Sequence, residues 1–371
     1  MKLAIIGAST GQLPLCLKAK EMGIETICFA WEQGAICKDY VNKFYSISVL
    51  EKDEILEICK LEKVNGVVSN ASDLLAEITA YLSENLSLNG NPYQKLLNIR
   101  NKKYVREVSN TIEYLNSVRI YQLNEMVEYP CIVKPVQGAA KKGVTFVSDE
   151  SGLKEAVKYT GEFEDNILIE QYIEGQEISV EAISYKKQHY ILQITDKDNT
   201  GAPHFVELGH HQPSQIDDDI KSKIQIVVPE LLNKLGYENG ASHLEFKIDN
   251  SGNLYLIEVN PRGGGDEISA RLVQLSTGYD YIRGIIEVAL DCFREPQITR
   301  DECSGIYYLC EQSKELFKNI PNNHFPWLVE KNIQTLNLTE ATGNYDRNGY
   351  LIYRCEFPRP LNDKIRKNGY K

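Results

Sequence analysis

The stretch HLEFKIDNSGNLYLIEVNPRGGG, residues 243–265, allows few readings. Two strand-like runs flank NSGN, a turn sequence, so the segment reads as a β-hairpin. Glu245 lies six residues before Ser251 and Glu258 six after Gly252, which sets the two carboxylates roughly opposite each other across an antiparallel pair. Directly opposed like charges destabilise a sheet unless something offsets them. Glu258, Asn260 and Arg262 alternate along the chain, so all three project from one face of the strand. Hard oxygen donors from Glu245, Glu258 and the Asn260 side-chain carbonyl suit Mg²⁺ or Mn²⁺, and Mg²⁺ with few protein ligands keeps positions for phosphate oxygens. The plain alternative is a solvated strand end with unrelated acidic residues.

Around this hairpin the chain runs to 371 residues, 42% hydrophobic and 25% charged, enough for two to three domains with real cores. Its net charge of −11 argues against a general nucleic-acid binder, while leaving room for a local basic pocket. No apolar run approaches the roughly 18 residues that cross a bilayer, and MKLAIIGAST does not read as a secretory leader. Nine cysteines are scattered singly, with no CxxC and no Cys/His cluster, so zinc and a disulfide framework are disfavoured and a reducing cytoplasm is expected.

KLAIIGA, LPLCLKAKEMG and ETICFA give a β-turn-α-β opening of the doubly wound type, followed by a strand at VNGVVSN and a helix at DLLAEITAYLSENL. SLNGNP marks a break. Residues 93–108 then read as one basic helix. CIVKPV and VTFV form a hairpin around the tip QGAAKKG, and a helix over 151–159 precedes three strand candidates, NILIEQYI, QEISVEAISY and HYILQITDK. Helices are expected over 217–235, at ISARLVQLS and over 281–293. The last seventy residues read as a small closing subdomain of short strands. The expected organisation is α/β: an N-terminal Rossmann-like domain (1–92), an α+β two-subdomain clasp (93–300, with a lid over about 108–168) and the C-terminal subdomain (301–371).

The basic elements are individually weak signals. Lys134 ends a strand before Pro135, where lysines often snorkel. The tip that follows, with Gly138, Lys141 and Gly143, suits a phosphate lid, although no P-loop occurs. Lys102 lies on a helix whose plain reading is a solvated face. ILIEQYIEGQE breaks a strand at Gly175 near Glu170, Tyr172, Ile173 and Glu177, where free backbone groups suit an adenine edge and a ribose. GASTGQ lacks the G-x-G-x-x-G dinucleotide fingerprint and reads as a structural βα turn, which disfavours an oxidoreductase.

Taken in order, Lys102, VKP with its glycine-rich tip, IEQYIEGQE, HLEF and IEVNPRGGG resemble the ATP-grasp superfamily over roughly residues 1–295. The resemblance implies ATP and Mg²⁺ (or Mn²⁺) as cofactors. It puts Lys102 and Lys134 on the phosphates, the 137–143 loop with Gly138, Lys141 and Gly143 over the triphosphate, and Glu170, Tyr172, Ile173 and Glu177 around the nucleoside. Glu245, Glu258 and Asn260 would hold the metal, with Arg262 on the transferred phosphate. PHFVELGHHQPS, SNASD and RGGGDEISARLVQLSTGYD look closer to the carboxylate–amine ligases that make dipeptides or amides. This resemblance implies that Glu207, His210, Arg262, Gly264 and Asp266 line the substrate site, with Arg262 and Lys134 catalytic. It ranks His210 above His243 and His243 above His211; the plain reading of His210 and His211 is surface-loop histidines. Two departures stand out: Asn101 where Asp is usual before the lysine, and a lid poor in serine.

The expected activity is an ATP-dependent ligase acting on a small-molecule carboxylate and an amine through an acyl phosphate, with Asp266, Glu267 and Glu207 as candidates for the base. A bicarbonate-using ATP-grasp carboxylase and a non-catalytic nucleotide-binding regulatory protein are the alternatives. No nucleic-acid or membrane partner is expected, and a homodimer stays open.

Overall fold

The inner strands of the first sheet are largely apolar because both of its faces are covered, whereas its edge strand, KFYS, is not. In the computed structural model, which describes residues 1–122, 125–138, 141–317 and 325–361, β1 (Lys2–Ile6), β2 (Glu25–Ala30), β3 (Lys43–Ser46) and β4 (Gly66–Val68) are all parallel, in the order β3-β2-β1-β4. Leu3 and Ile5 pack towards α1 (Leu13–Glu21), while Ala4 and Ile6 pack towards α2 (Lys52–Glu62) and α3 (Asp73–Asn85).

The basic segment after the break is two helices rather than the single one expected. α4 (Tyr93–Arg100) stops at Asn101, whose side chain accepts a hydrogen bond from Tyr104 N (3.1 Å) and so caps α5 (Lys102–Ser109). Asn caps as well as Asp does, so the departure at Asn101 preserves the turn that delivers Lys102. Next come β5 (Ile120–Tyr121), β6 (Cys131–Pro135), β7 (Thr145–Val147), α6 (Glu150–Gly161) and β8 (Ile167–Gln171), in which the strands form an antiparallel sheet ordered β5-β8-β6-β7. Residues 139–140, at the expected lid tip, lie outside the described residues.

The largest sheet is built from β9 (Gln176–Tyr185), β10 (Gln188–Asn199), β11 (Glu207–Gln212), β12 (Gly240–Ile248), β13 (Leu254–Asn260), β14 (Cys303–Tyr308), β15 (Leu328–Ile333) and β16 (Gly349–Cys355). Its order is β13-β12-β9-β10-β11-β14-β16-β15. The last seventy residues, expected as a closing subdomain, thus contribute three strands to this same sheet through the β11–β14 pairing. On one face Ile178, Val180, Leu244 and Phe246 pack against Ile224, Val227 and Leu231 of α7 (Asp218–Leu235). ISARLVQLS, expected as a plain helix, begins as a π-helical turn (Ile268–Leu272) before α8 (Val273–Thr277). α9 (Tyr281–Ala289) is shorter than the 281–293 expected, and it wedges between β9 and the first sheet.

Candidate active site

Residues directly opposed across a β-ladder carry their side chains on the same face. The register therefore lays out one face of the large sheet, the one turned away from α7. One row reads Lys247, Glu177, Lys197, His210; the next reads Glu258, Glu245, Ser179; a third reads Asn260, His243, Glu181. The expected opposition of Glu245 and Glu258 is the observed register. Glu207 joins the face through a β-bulge: Asn199 pairs with Glu207 but Asp198 pairs with Gly209, so Leu208 is skipped. Strand alternation alone would put residues three apart on opposite faces; the bulge brings Glu207 and His210 together. Both histidines at 210–211 lie in a buried strand, which corrects the surface-loop reading: His210 is 2% exposed and His211 1%. His211 points to the reverse face, 3.2 Å from Asp198 and 3.0 Å from the Tyr353 hydroxyl.

The opposed carboxylates are offset by side-chain cations. Lys102 Nζ lies 3.1 Å from Glu258 and donates to Gly138 O at 3.2 Å. Lys197 Nζ lies 3.2 Å from Glu245, 2.5 Å from Glu177 and 3.6 Å from Glu207. His243 Nε2 lies 3.1 Å from Glu245, and its Nδ1 bonds to Glu181. Burial alone would lower the His243 pKa, but Glu181 and Glu245 raise it to about 9. Burial likewise opposes charge on Lys197, and its three carboxylates outweigh that and raise its pKa well above the usual value. Sequence reasoning left out Lys197 and Glu181 as site residues and ranked His243 behind His210; the alternation of Glu177, Ser179 and Glu181, and of Lys197 with Thr195, was the available signal.

Lys134, 6% exposed, ends β6 with its ammonium on Glu170. Glu170 also takes a fork from Arg106 (Nε–Oε2 3.0 Å, Nη2–Oε1 3.2 Å), and the same guanidinium donates to Leu256 O and Ile257 O. Glu170, expected at the nucleoside, is thus held in a buried triad that ties the lid sheet to β13. Although burial favours the neutral acid, Arg106 and Lys134 hold its carboxyl at about 2; burial pulls the Lys134 ammonium down. Glu177 bonds Asn199 Nδ2 at 3.2 Å. Lys247 Nζ donates to Ile173 O (3.0 Å) and sits 4.6 Å from the centre of the Tyr172 ring.

The lid is folded down. Lys141, with a positive φ of 60°, reaches Glu207 Oε1 (2.9 Å) and Phe205 O (2.6 Å). Gly143 also has positive φ (72°), and its carbonyl accepts from Thr160 Oγ1 at 2.8 Å. A cleft of about 20 Å³, room for a single water, remains among Asp73, Lys102, Gly138, Glu258 and Asn260. Asn260, 2% exposed, donates to His243 O at 3.3 Å.

The glycines after Arg262 are there for close approach. A Cβ on Gly264 would stand 2.9 Å from both Glu181 Oε1 and His243 Nδ1, and one on Gly263 would stand 2.7 Å from Asn70 Oδ1. Gly264 N donates to Glu181 (3.0 Å) and Gly263 N to Asn70 (3.1 Å). Arg262 Nε donates to Asp73 at 3.2 Å, so SNASD docks the first domain onto the floor of the site. Asp266 lies 3.4 Å from His210 Nε2 and takes a fork from Arg347. Burial favours its neutral form, yet His210 and Arg347 hold its carboxyl far below the usual range.

The residues fit a divalent cation by chemistry: two opposed carboxylates and an amide, all hard oxygen donors, of which Glu258 and Asn260 line the cleft. Among the described residues no group of three His, Cys, Asp or Glu side chains forms a metal cluster of its own.

Residues 127–271 match the ATP-grasp domain family. The D-alanine–D-alanine ligase of Thermosipho africanus is 26% identical over 205 residues, covering 52% of this chain and 53% of that protein; the chain thus spans about half the length of this curated relative. The L-amino acid ligase of Bacillus licheniformis superposes with a TM-score of 0.77 at 23% identity, covering 96% of this chain and 93% of that one. A 2-oxoglutarate carboxylase biotin carboxylase domain from Hydrogenobacter thermophilus, crystallised with MgADP and bicarbonate, superposes with a TM-score of 0.73 at 19% identity, covering 96% and 86%.

Proposed function

The chain belongs to the ATP-grasp superfamily, and on that premise we propose that it is an ATP-dependent carboxylate–amine ligase acting on amino-acid-like substrates. The observation that carries this reading is the shared sheet face: Glu245, opposed to Glu258, is held by Lys197, and Lys197 lies between Glu245 and the pair Glu207 and His210, an arrangement that supports a phosphate site next to a polar substrate site.

A substrate carboxylate attacks the γ-phosphate of ATP, giving an acyl phosphate and ADP; an amine then attacks the acyl carbon, phosphate leaves and an amide remains. Lys102, Lys134 and Arg262 bind and neutralise the phosphoryl oxygens, the main catalytic task in this chemistry. Glu245, Glu258 and Asn260 would hold Mg²⁺, which supplies further charge neutralisation when bound. Lys102 and Lys197, now paired with carboxylates, are placed to exchange those partners for phosphate oxygens. The backbone about Tyr172 and Ile173 takes the adenine and Glu177 the ribose. Gly138, Lys141 and Gly143 cover the triphosphate. Glu207, His210, Gly264 and Asp266 line the acid and amine site, and Asp266, Glu267 or Glu207 takes the amine proton. Nine free cysteines, eight of them buried or half-buried, support a reducing, cytoplasmic setting.

The test is phosphate release across pairs of acids and amines, with hydroxylamine as a trap for the acyl phosphate. Release that needs both partners, and a hydroxamate from one acid, are the expected results. ADP release with bicarbonate alone would replace the ligase by a carboxylase; no turnover with any substrate would leave a nucleotide-binding protein. In the active pair, Glu258→Gln is expected to lower ADP formation by at least about a hundredfold with the circular dichroism unchanged. Full turnover of that variant at saturating Mg²⁺ would defeat the metal assignment.

A further inference from the structure

Arg347 belongs to the stretch in which the sequence is least informative. It nevertheless makes a planar two-point fork on Asp266, with Nη1–Oδ2 at 2.8 Å and Nη2–Oδ1 at 2.9 Å. Its Nε donates to Asn344 O at 2.9 Å, and its guanidinium lies 3.7 Å from the centre of the Tyr308 ring. Asn344 in turn accepts from Glu207 N at 3.0 Å. The turn between β15 and β16 therefore grips both Glu207, through its backbone, and His210, through Asp266.

Asp266 and Glu267 both have positive φ (51° and 65°), a conformation non-glycine residues hold only when their surroundings impose it. The Arg347 fork is such a constraint. An ionised carboxylate only accepts, so Asp266 draws the Nε2–H of His210 and leaves Nδ1 with a free lone pair. That Nδ1 is buried without a hydrogen-bond partner among the described residues, as is Glu207 Oε2. The groups facing the ring are Asp266, Arg347, Tyr308 on β14, Lys197 on β10 and Glu207 on its own strand. Lys197 and Lys141 already offset Glu207, so Arg347 is what offsets Asp266.

We propose that Arg347 is a positioning residue of the substrate site: by holding Asp266 it fixes the ring orientation and tautomer of His210, so that Nδ1 stands on the substrate face as a hydrogen-bond acceptor. The C-terminal segment is thereby part of the site. The assignment of the ring to substrate rests on the ligase reading; the control of its tautomer does not.

The experiment is made on the full chain with Arg347→Gln and Arg347→Lys. Nitrogen-15 spectra of the histidine rings, with His210→Gln to assign the signal, read the tautomer without any substrate. The wild type is expected to show the Nε2–H form. Arg347→Gln, which loses both the charge and the fork on Asp266, is expected to move the His210 nitrogen signals away from the Nε2–H tautomer pattern, and Arg347→Lys, which keeps the charge and loses the fork, to move them less. With an acid–amine pair that the wild type turns over, Arg347→Gln is expected to raise the KM of the acid or the amine by about tenfold or more, with the KM for ATP within about twofold, and Arg347→Lys to recover part of the loss. Identical His210 spectra in wild type and Arg347→Gln would overturn the proposal, and so would unchanged acid and amine KM values. If Arg347→Gln does not fold, the lysine variant decides on the same readouts. A wild type that turns over no pair would count against the ligase reading alone, because the spectra still test the positioning role.

Discussion

Lys197 lies among Glu177, Glu245 and Glu207, at 2.5, 3.2 and 3.6 Å, and is almost wholly buried. Each carboxylate belongs to a different strand, so one ammonium holds β9, β12 and β11 to a common centre. Removing one partner of a buried ionic group leaves charges that nothing compensates, which costs about 3–5 kcal/mol. Lys197→Met, close in volume but neutral, is accordingly expected to lower stability by about that much, read from urea unfolding at pH 7. An unchanged midpoint would mean that the carboxylates find other cations or take up protons. His243 acts similarly at shorter range, bridging Glu181 and Glu245. The acidic pair is thus already paired with side-chain cations, and a metal ion at the proposed site would have to exchange with them.

At the scale of elements, the lid sheet and β13 are joined by the Arg106–Glu170–Lys134 triad and by the Arg106 bonds to the carbonyls of Leu256 and Ile257. The Glu170 carboxyl stands at about 2 in the folded protein against an ordinary 4.5. A depressed folded value means that the triad's contribution is fully present above about pH 4.5 and is lost as the pH falls through 2. The shift corresponds to about 3 kcal/mol. Glu170→Gln is expected to unfold more easily at pH 7 and to show a flatter fall in stability than the wild type between pH 4.5 and 2, measured by denaturant titration at each pH. Equal slopes would remove the triad from the account of acid stability. The bulge at Leu208 is the other element-scale device: it converts an i, i+3 spacing into two side chains on one face, which a regular strand cannot do.

For the whole molecule, the decisive feature is one eight-stranded sheet that runs from the acidic hairpin to the C-terminal strands. β14, β15 and β16 cover what would otherwise be the edge of β11, and Arg359 ties the tail to Asp196 (3.0 Å) and Asp198 (2.5 Å) behind Lys197. A chain ending at Arg300 would leave β11, with its two buried histidines, as an edge strand paired only to β10, and open edges of this kind aggregate. Such a truncation is expected to be insoluble or aggregated by size-exclusion chromatography; a soluble, monomeric product with native circular dichroism would show that the C-terminal strands are dispensable for folding.

The sequence by itself determined the local elements and the facing pair. Apolar runs flanked by turn residues placed β1, β9, β12 and β13. Counting from NSGN put Glu245 opposite Glu258, and the ladder reaches that register only through a bulge, because Phe246 pairs with Leu256 and Ile257 is skipped. What the glycines of PRGGG approach was not legible: Gly264 meets Glu181 and His243, 83 and 21 residues earlier in the chain, and Gly263 meets Asn70, 193 residues earlier. The sequence did not show where each charge is spent. Lys102 on Glu258, Lys134 on Glu170, Arg262 on Asp73 and Arg347 on Asp266 join residues that no periodicity links. Nor did it show the break at Asn101 or the bulge at Leu208, where one residue changes direction or face. Those choices are made by burial: a charge enclosed by the fold must find its counter-charge wherever the packing brings one, and only the tertiary structure decides which one that is.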